Sequence, residues 1–322
     1  MTKITFRYLV VKIIYVFLSL TKCLTLPGGL NIKEAFVTIL AMIIDFHTHI
    51  FSPEIKNNRE KYAGADPCFD ILYSAPNARI ATAEELITSM DEAGIGVSVI
   101  TNIGWTSHET CVETNDYILE SIARYPDRLA GFATVLPQAG EAAVAEVERC
   151  AKGGIKGIGE MRPDTQSIDL TGEAILPFVE ILRQYNLILL THASEPVGHS
   201  YPGKGSITPE ILYPFITRFP DLTIVLAHWG GGLPFYALMP EVKTALENVY
   251  FDTAASPFLY QPRIYHHVIE LLGAEKILFG SDYPLLPPTR LINEIRTLGL
   301  PEETVNLILS GNARRLLGLD KA

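Results

Sequence analysis

From residue 42 onward, short runs of consecutive hydrophobic residues alternate with longer segments that have the 3.6-residue spacing of amphipathic helices. Eight of the short runs have the length and the apolar content of strands that are buried on both faces. They are MIIDF at 42, VSVIT at 97, LAGFATV at 129, IKGIGE at 155, LILLTH at 187, TIVLAH at 223, VYFDT at 249 and KILFGSD at 276. This alternation predicts a parallel sheet covered by helices.

The segments between these runs carry the start and stop signals of helices. In TAEELITSMDEAG, Thr82 and Glu85 form a capping-box pattern and Gly94 follows the last helical residue. Eight strand–helix repeats in roughly 280 residues predict an α/β chain with a single (β/α)8 TIM barrel. A doubly wound open sheet is the alternative, although such sheets commonly have five or six strands.

Two connections are longer than a turn. Residues 51–80 separate the first strand from its helix, and residues 194–209 follow the fifth strand. Long ordered loops on a compact scaffold usually belong to a binding site or a lid, and tolerated surface insertions are the alternative.

The first 41 residues differ from the rest of the chain. They hold the apolar run FRYLVVKIIYVFLSL and five basic residues against one acidic residue, but Lys12 interrupts the run before it reaches the length of a spanning helix. The segment has no clear cleavage site. We therefore place a catalytic domain at 42–322 and treat 1–41 as an extension, either a mis-assigned start with Met42 as the true one or a signal-like or anchor-like segment.

Composition limits the kinds of partner. The formal net charge is −10, and since the first 41 residues are basic, the remainder is more acidic than the whole chain. Nucleic-acid binding needs basic surface, so a small-molecule substrate is expected, without a membrane contact of the barrel itself. The four cysteines lie far apart, as is typical of reduced thiols in a cytoplasmic protein, although the apolar N-terminal segment leaves membrane association or export open.

Histidines and acidic residues are concentrated where the predicted strands end. In a barrel these ends converge on one face. Because residues i and i+2 of an extended segment face the same side, His47 and His49 can point two imidazoles into one site. The residues at the strand ends are Asp45, His47, His49, Glu160, Arg162, His192, His228, Asp252 and Asp282.

Such a set of nitrogen and oxygen donors suits zinc, and manganese, iron or cobalt are alternatives. A bound cation lowers the pKa of its water toward neutrality and so supplies hydroxide. Asp282 can then contact the ion and accept the proton of the water, while His228 polarises a substrate carbonyl or carries a proton. A lone H-x-H pair would be weak support, since buried histidines are often satisfied by backbone groups.

The segments IIDFHTHIF, GIKGIGEMRP, LLTHASEP, LAHWGGGLPFY and LFGSDYPL, with the closing GNARRLLGL, resemble the amidohydrolase-related metal-dependent hydrolases. This branch of the amidohydrolase superfamily also contains aminocarboxymuconate-semialdehyde decarboxylase. The resemblance implies the metal-dependent hydrolase type of TIM barrel and metal ligands at His47, His49, His192 and Asp282. It implies a catalytic role for His228, and a homodimer as an option.

Other residues have weaker support. Glu160 is either a metal ligand, as in some related branches of the superfamily, or a structural carboxylate paired with Arg162. Arg162 is expected either to bind a substrate carboxylate or to form a salt bridge. Trp105, Trp229 and Tyr283 are candidates for an apolar wall that binds a flat substrate, although such residues commonly serve packing.

These observations favour a hydrolase that opens an amide, lactone or related carbonyl with metal-bound hydroxide. The first alternative is a non-oxidative decarboxylase of an aromatic or unsaturated carboxylic acid, since this branch uses one ligand set for both reactions. The second alternative is a ligand-binding barrel without catalysis, which would bind no metal.

Overall fold

The computed structural model describes residues 42–319. The N-terminal extension predicted for residues 1–41 therefore lies outside the described residues. Among the residues that are described, no helix combines the length and hydrophobicity that are needed to cross a bilayer.

Eight parallel strands follow one another around the sheet in chain order. The last strand returns to the first, because the backbone N–H groups of Phe46 and His49 donate to the carbonyls of Phe279 and Tyr283, both at 2.7 Å. The predicted TIM barrel is thus confirmed over the open sheet. The strands are β1 (Ile43–His49), β2 (Ile95–Thr101), β3 (Leu129–Ala133), β4 (Gly157–Met161), β5 (Ile188–Thr191), β6 (Ile224–Leu226), β7 (Val249–Asp252) and β8 (Ile277–Leu278).

Helices fill the connections between the strands. The predicted capping box is present, with the Thr82 side chain accepting from the N–H of Glu85, and the helix ends at Gly94, whose φ of 69° suits a residue without a side chain. The helices are α1 (Pro53–Asn57), α2 (Arg59–Ala65), α3 (Pro67–Tyr73), α4 (Ala83–Ala93), α5 (His108–Arg124), α6 (Glu141–Lys152), α7 (Leu176–Tyr185), α8 (Pro209–Arg218), α9 (Pro240–Ala245), α10 (Ser256–Leu259), α11 (Ile264–Leu272), α12 (Pro288–Thr297), α13 (Glu302–Asn306) and α14 (Asn312–Leu317).

The long connection after β1 is a small helical unit with its own apolar core. Asp66 caps α3 by accepting from the N–H of Phe69 at 2.9 Å, and a proline follows the cap, which favours the first helical turn. The ring of Phe69 stacks on Trp105 with centroids 5.3 Å apart. Helices α1–α3 are therefore packed against the loop that follows β2, at the carboxyl ends of the strands.

The backbone after β6 takes an unusual path. Trp229 has a φ of 58°, and the three glycines that follow also have positive φ. Glycine adopts such angles without steric cost, which explains three in a row directly after Trp229. The Cβ of a side chain at Gly231 would clash with the carbonyl oxygen of Ser194, so this turn packs closely against the loop after β5.

Candidate metal centre

The two histidines of β1 share one orientation. Their Nε2 atoms lie 3.0 Å apart, as the two-residue strand repeat predicts. On the other side of the ring, His47 Nδ1 lies 2.7 Å from Oδ2 of Asp252, the last residue of β7. Because an ionised carboxylate only accepts hydrogen bonds, Nδ1 carries a hydrogen, and Nε2 points into the barrel mouth.

His192 directly follows β5, and both of its ring nitrogens have partners. Nδ1 lies 3.1 Å from Oε1 of Glu160, and Nε2 lies 3.0 Å from Oγ of Ser194. Ser194 is itself held in place, since its Oγ accepts from the N–H of Gly205 at 2.9 Å. A hydroxyl can accept or donate, so Ser194 fits either tautomer of the ring while Nδ1 faces the centre.

His228 enters the same site from the loop after β6. Its Nδ1 donates to the carbonyl oxygen of Ala254 at 3.1 Å, which leaves Nε2 facing inward, 3.5 Å from Oε1 of Glu160. The backbone N–H of His228 donates to Oδ1 of Asp252 at 2.9 Å. Asp252 thus positions the backbone of His228 and the ring of His47 at the same time.

Two carboxylates complete the cluster. Glu160 lies in its middle, with Oε2 at 3.8 Å from Nε2 of His47 and 3.7 Å from Nε2 of His49. Asp282, in the loop after β8, places Oδ1 at 3.3 Å from Nε2 of His49. Glu160 therefore belongs to two groups of closely spaced donors, one with His47 and His49 and one with His192 and His228.

The electrostatics of the cluster keep its carboxylates ionised. Burial opposes the charge of Glu160 and Asp282, yet the surrounding histidines hold the pKa of Glu160 well below its usual range and lower the pKa of Asp282 to about 2. Burial also opposes a charge on His47, but the Asp252 carboxylate raises its pKa to about 10, so an ion that binds at Nε2 would replace a proton there. Negative charge surrounded by inward nitrogens is an arrangement that attracts a cation.

The structure brings together six of the predicted site residues, which are His47, His49, Glu160, His192, His228 and Asp282. Arg162 lies nearby with a different set of contacts. Its Nη2 donates to the carbonyl oxygen of Gly203 at 3.0 Å, and its Nε lies 3.4 Å from Oδ1 of Asp164. These contacts attach the loop after β5 to the end of β4.

The three predicted aromatic residues lie in different surroundings. Trp105 is fully buried beneath α1–α3, and its indole N–H donates to Asn102. Trp229 is also fully buried, and it donates to Oγ of Ser256 at 2.9 Å. Tyr283 is partly buried, and its hydroxyl donates to the carbonyl oxygen of Glu85 at 3.3 Å.

Two residues of the site were not predicted from the sequence. Ser194 has no signal of its own, because its contact with His192 depends on how the loop after β5 turns back. Tyr73 comes from α3, and its burial, followed by the charges of Asp282 and Glu160, raises its pKa well above the usual value. The helical unit after β1 thus brings a phenol close to the cluster. Asp252 did stand out as a residue at a strand end, but without a role.

Comparison with known proteins agrees with this fold and cluster. The family model described as amidohydrolase matches residues 44–319. The chain belongs to the amidohydrolase family. The 2-amino-3-carboxymuconate-6-semialdehyde decarboxylase of Dictyostelium discoideum is 22% identical over 86% of this chain and 92% of its own.

Two solved structures have the same fold. The 5-carboxyvanillate decarboxylase of Sphingomonas paucimobilis has a TM-score of 0.73 at 20% identity and covers 86% of this chain and 99% of its own. The enzyme of the same name from Novosphingobium aromaticivorans, with bound manganese and a nitrobenzoic acid, has a TM-score of 0.70 at 20% identity and covers 86% of this chain and 97% of its own.

These comparisons correct the expectation of hydrolysis. The relative and both structural neighbours are decarboxylases, so hydrolysis as the leading interpretation is wrong and the decarboxylase alternative is favoured. The sequence could not separate the two, because both reactions need a cation next to a substrate carbonyl or carboxylate and therefore the same donors. Zinc finds no specific support, as the neighbour described above holds manganese.

Proposed function

We propose that this amidohydrolase-family chain is a metal-dependent, non-oxidative decarboxylase that acts on a small aromatic or unsaturated carboxylic acid. The observation that carries the proposal is the convergence of four inward-facing imidazole nitrogens and two carboxylates at the barrel mouth. The decarboxylase names of the similar proteins support the reaction class.

The residues fit a divalent ion. His47 and His49 would bind it through Nε2, His192 through Nδ1, and Asp282 through a carboxylate oxygen, with Glu160 as a further ligand. Imidazole and carboxylate together suit manganese, iron, cobalt or zinc, and the neighbour with bound manganese leads us to favour manganese. When bound, such an ion supplies positive charge that orients the substrate carboxylate and stabilises the negative charge developing on the organic group.

The outer partners keep the ligand atoms correctly protonated. Asp252 holds a hydrogen of His47 on Nδ1, so Nε2 is the nitrogen left for the ion once its own proton is released. Ser194 can accept the hydrogen of His192 on Nε2, which frees Nδ1 without turning the ring. These two side chains therefore prepare the site for a cation before a substrate arrives.

His228 is the proposed proton donor. The reaction breaks the bond between the carboxylate carbon and the organic group, carbon dioxide leaves, and the carbon left behind takes up a proton. The ring of His228 is fixed by Ala254 with Nε2 toward the centre, and imidazole readily holds and releases a proton.

The test uses the purified chain loaded with Mn²⁺, 2,6-dihydroxybenzoate and 5-carboxyvanillate as substrates, and deuterated water as solvent. We expect release of carbon dioxide and one deuterium on the carbon that lost it. The variant His228→Asn should lose at least about 100-fold in rate, while His267→Asn, which changes an exposed histidine of α11, should not. Hydrolysis products, or a metal-loaded chain that releases no carbon dioxide from a wider panel of aromatic acids, would refute the proposal.

A further inference from the structure

A cleft of about 350 Å³ lies at the barrel mouth, beside the metal-ligand cluster, between the loops that follow β5, β6 and β7. We propose that this cleft binds the part of the substrate remote from the reacting carboxylate, and that Glu195 selects there for a group that donates a hydrogen bond. The inference rests on the proposed function, since it assumes that the carboxylate of the same molecule lies at the cluster.

The cleft begins three residues after His192 of the cluster. Glu195, which lines it, follows Ser194, whose Oγ lies 3.0 Å from Nε2 of His192. The opposite wall includes Gly231, three residues after His228, and this glycine packs against the backbone of Ser194. The cleft and the cluster are therefore built on the same two loops, and a substrate whose carboxylate is at the cluster would reach the cleft past Ser194.

The size and the walls of the cleft fit a substituted ring. A cavity on the order of 150 Å³ holds benzene, so 350 Å³ leaves room for a ring with substituents. Phe235, Tyr236 and Tyr260 contribute aromatic surface to the lining. Aromatic faces of this kind pack well against a flat ligand.

Glu195 sets the polarity of the inner end of the cleft, which is the end nearer the metal-ligand cluster. Its Oε2 accepts from the hydroxyl of Tyr201 at 3.2 Å, and the hydroxyl of Tyr260 lies close to the same carboxylate. Two phenols occupy at most two of its acceptor positions. A carboxylate has about four acceptor positions and no donor, so it favours a hydroxyl or ammonium group and repels an anion.

The cation of the cleft, Lys204, lies away from Glu195. Two of the three N–H groups of Lys204 are occupied, as Nζ donates to the carbonyl oxygens of Val197 at 2.7 Å and His199 at 3.3 Å. Val197 is 75% exposed, which places this contact at the outer rim. An anionic substituent at the inner end would face Glu195.

The experiment measures binding by calorimetry to the full chain loaded with Mn²⁺. The probes are 3- and 4-substituted benzoates that carry a hydroxyl, an aminomethyl, a nitro or a second carboxylate group. We expect either donor to bind at least about tenfold tighter than the nitro group, with the dicarboxylates weakest. Comparison of the hydroxyl-substituted with the aminomethyl-substituted benzoates shows whether the preferred donor is neutral or cationic.

In Glu195→Gln the donor preference should fall about tenfold and the dicarboxylates should gain affinity. Glu210→Gln, which changes an exposed acid at the start of α8, is the matched control and should keep the order of the wild type. Metal content and melting temperature show that each variant is folded. An unchanged order of affinities in Glu195→Gln would overturn the inference.

The two proposals can fail separately. Selectivity that depends on Glu195 without carbon dioxide release from any acid would refute the decarboxylase and leave the cleft assignment standing. Carbon dioxide release with a selectivity that does not depend on Glu195 would refute the cleft assignment alone.

Discussion

His47 and Asp252 form a buried pair across the barrel, with Nδ1 of the histidine 2.7 Å from Oδ2 of the aspartate. The other oxygen of Asp252 accepts from the backbone N–H groups of His228 at 2.9 Å and Ala254 at 3.0 Å. One carboxylate therefore receives hydrogen bonds on both of its oxygens. An amide could not do the same, because one of its two ends only donates.

The variant Asp252→Asn should weaken metal binding. If the amide oxygen stays on the backbone N–H groups, its NH₂ group faces His47, and the ring must then carry its hydrogen on Nε2, where the ion would bind. We expect the metal affinity to fall by about 10- to 100-fold, as is usual when the outer partner of a ligand is lost. Competition between the protein and a fluorescent chelator for Mn²⁺ measures this change.

The matched control is Asp221→Asn, which alters an exposed aspartate paired with Arg183 on the outside of the barrel. It should leave the affinity for Mn²⁺ at the value of the wild type. An affinity of Asp252→Asn equal to that of the control would show that Asp252 does not set the tautomer of His47.

The variant His192→Ala should lose metal more severely, because it removes a proposed ligand and not only a partner of one. We expect its affinity for Mn²⁺ to fall by more than about 100-fold. Elemental analysis of the purified protein reads this out as a loss of bound metal relative to wild type and to His199→Ala. Absence of stoichiometric metal in all three proteins would contradict the proposed metal centre.

The sequence predicted the strands, since consecutive apolar residues are forced into a buried sheet whatever surrounds them. It also predicted that the histidines of β1, β5 and β6 would meet, because the carboxyl ends of parallel strands converge. It could not predict which ring nitrogen faces inward. That depends on partners such as Asp252, 205 residues away from His47 in the chain.

The long connection after β1 shows a different limit of prediction from the sequence. Its helices have recognisable signals, with Ser52 before Pro53 and Asp66 before Pro67, but each helix has only five to seven residues. Helices this short have no stability of their own and are held by packing, so a hydrophobic period cannot reveal them. Packing against Trp105 stabilises α3, and that tryptophan lies beyond the next strand.

A chain that begins at Met42 should fold and bind metal as the longer chain does. All eight strands and the six clustered residues lie between Ile43 and Asp282, and the first strand closes against the last through backbone hydrogen bonds. We expect the same metal content and the same melting temperature for both chains. Loss of either would show that the domain begins before residue 42.

Glu146 should contribute to stability in a way that depends on pH. Its side chain is buried between α5 and α6, where it accepts from Asn115 at 2.7 Å and from two nitrogens of Arg149 at 2.7 and 2.8 Å. Burial would raise the pKa of Glu146, but these hydrogen bonds outweigh burial and lower it below 4.5. The ionised form is therefore stabilised by folding.

The direction in which stability changes with pH follows from this lowered pKa. The stabilisation is fully present above the pKa of the unfolded chain, near 4.5, and is lost as the pH falls through the lower pKa of the folded protein.

Glu146→Gln should reduce the free energy of unfolding at pH 7 by about 1 to 3 kcal/mol. The difference from wild type should shrink below pH 4.5, where wild-type Glu146 itself becomes protonated. Urea unfolding across this range measures the difference, with Glu120→Gln, which changes an exposed glutamate of α5, as control. A difference of constant size down to pH 3 would mean that packing, and not the charge of Glu146, stabilises the contact between α5 and α6.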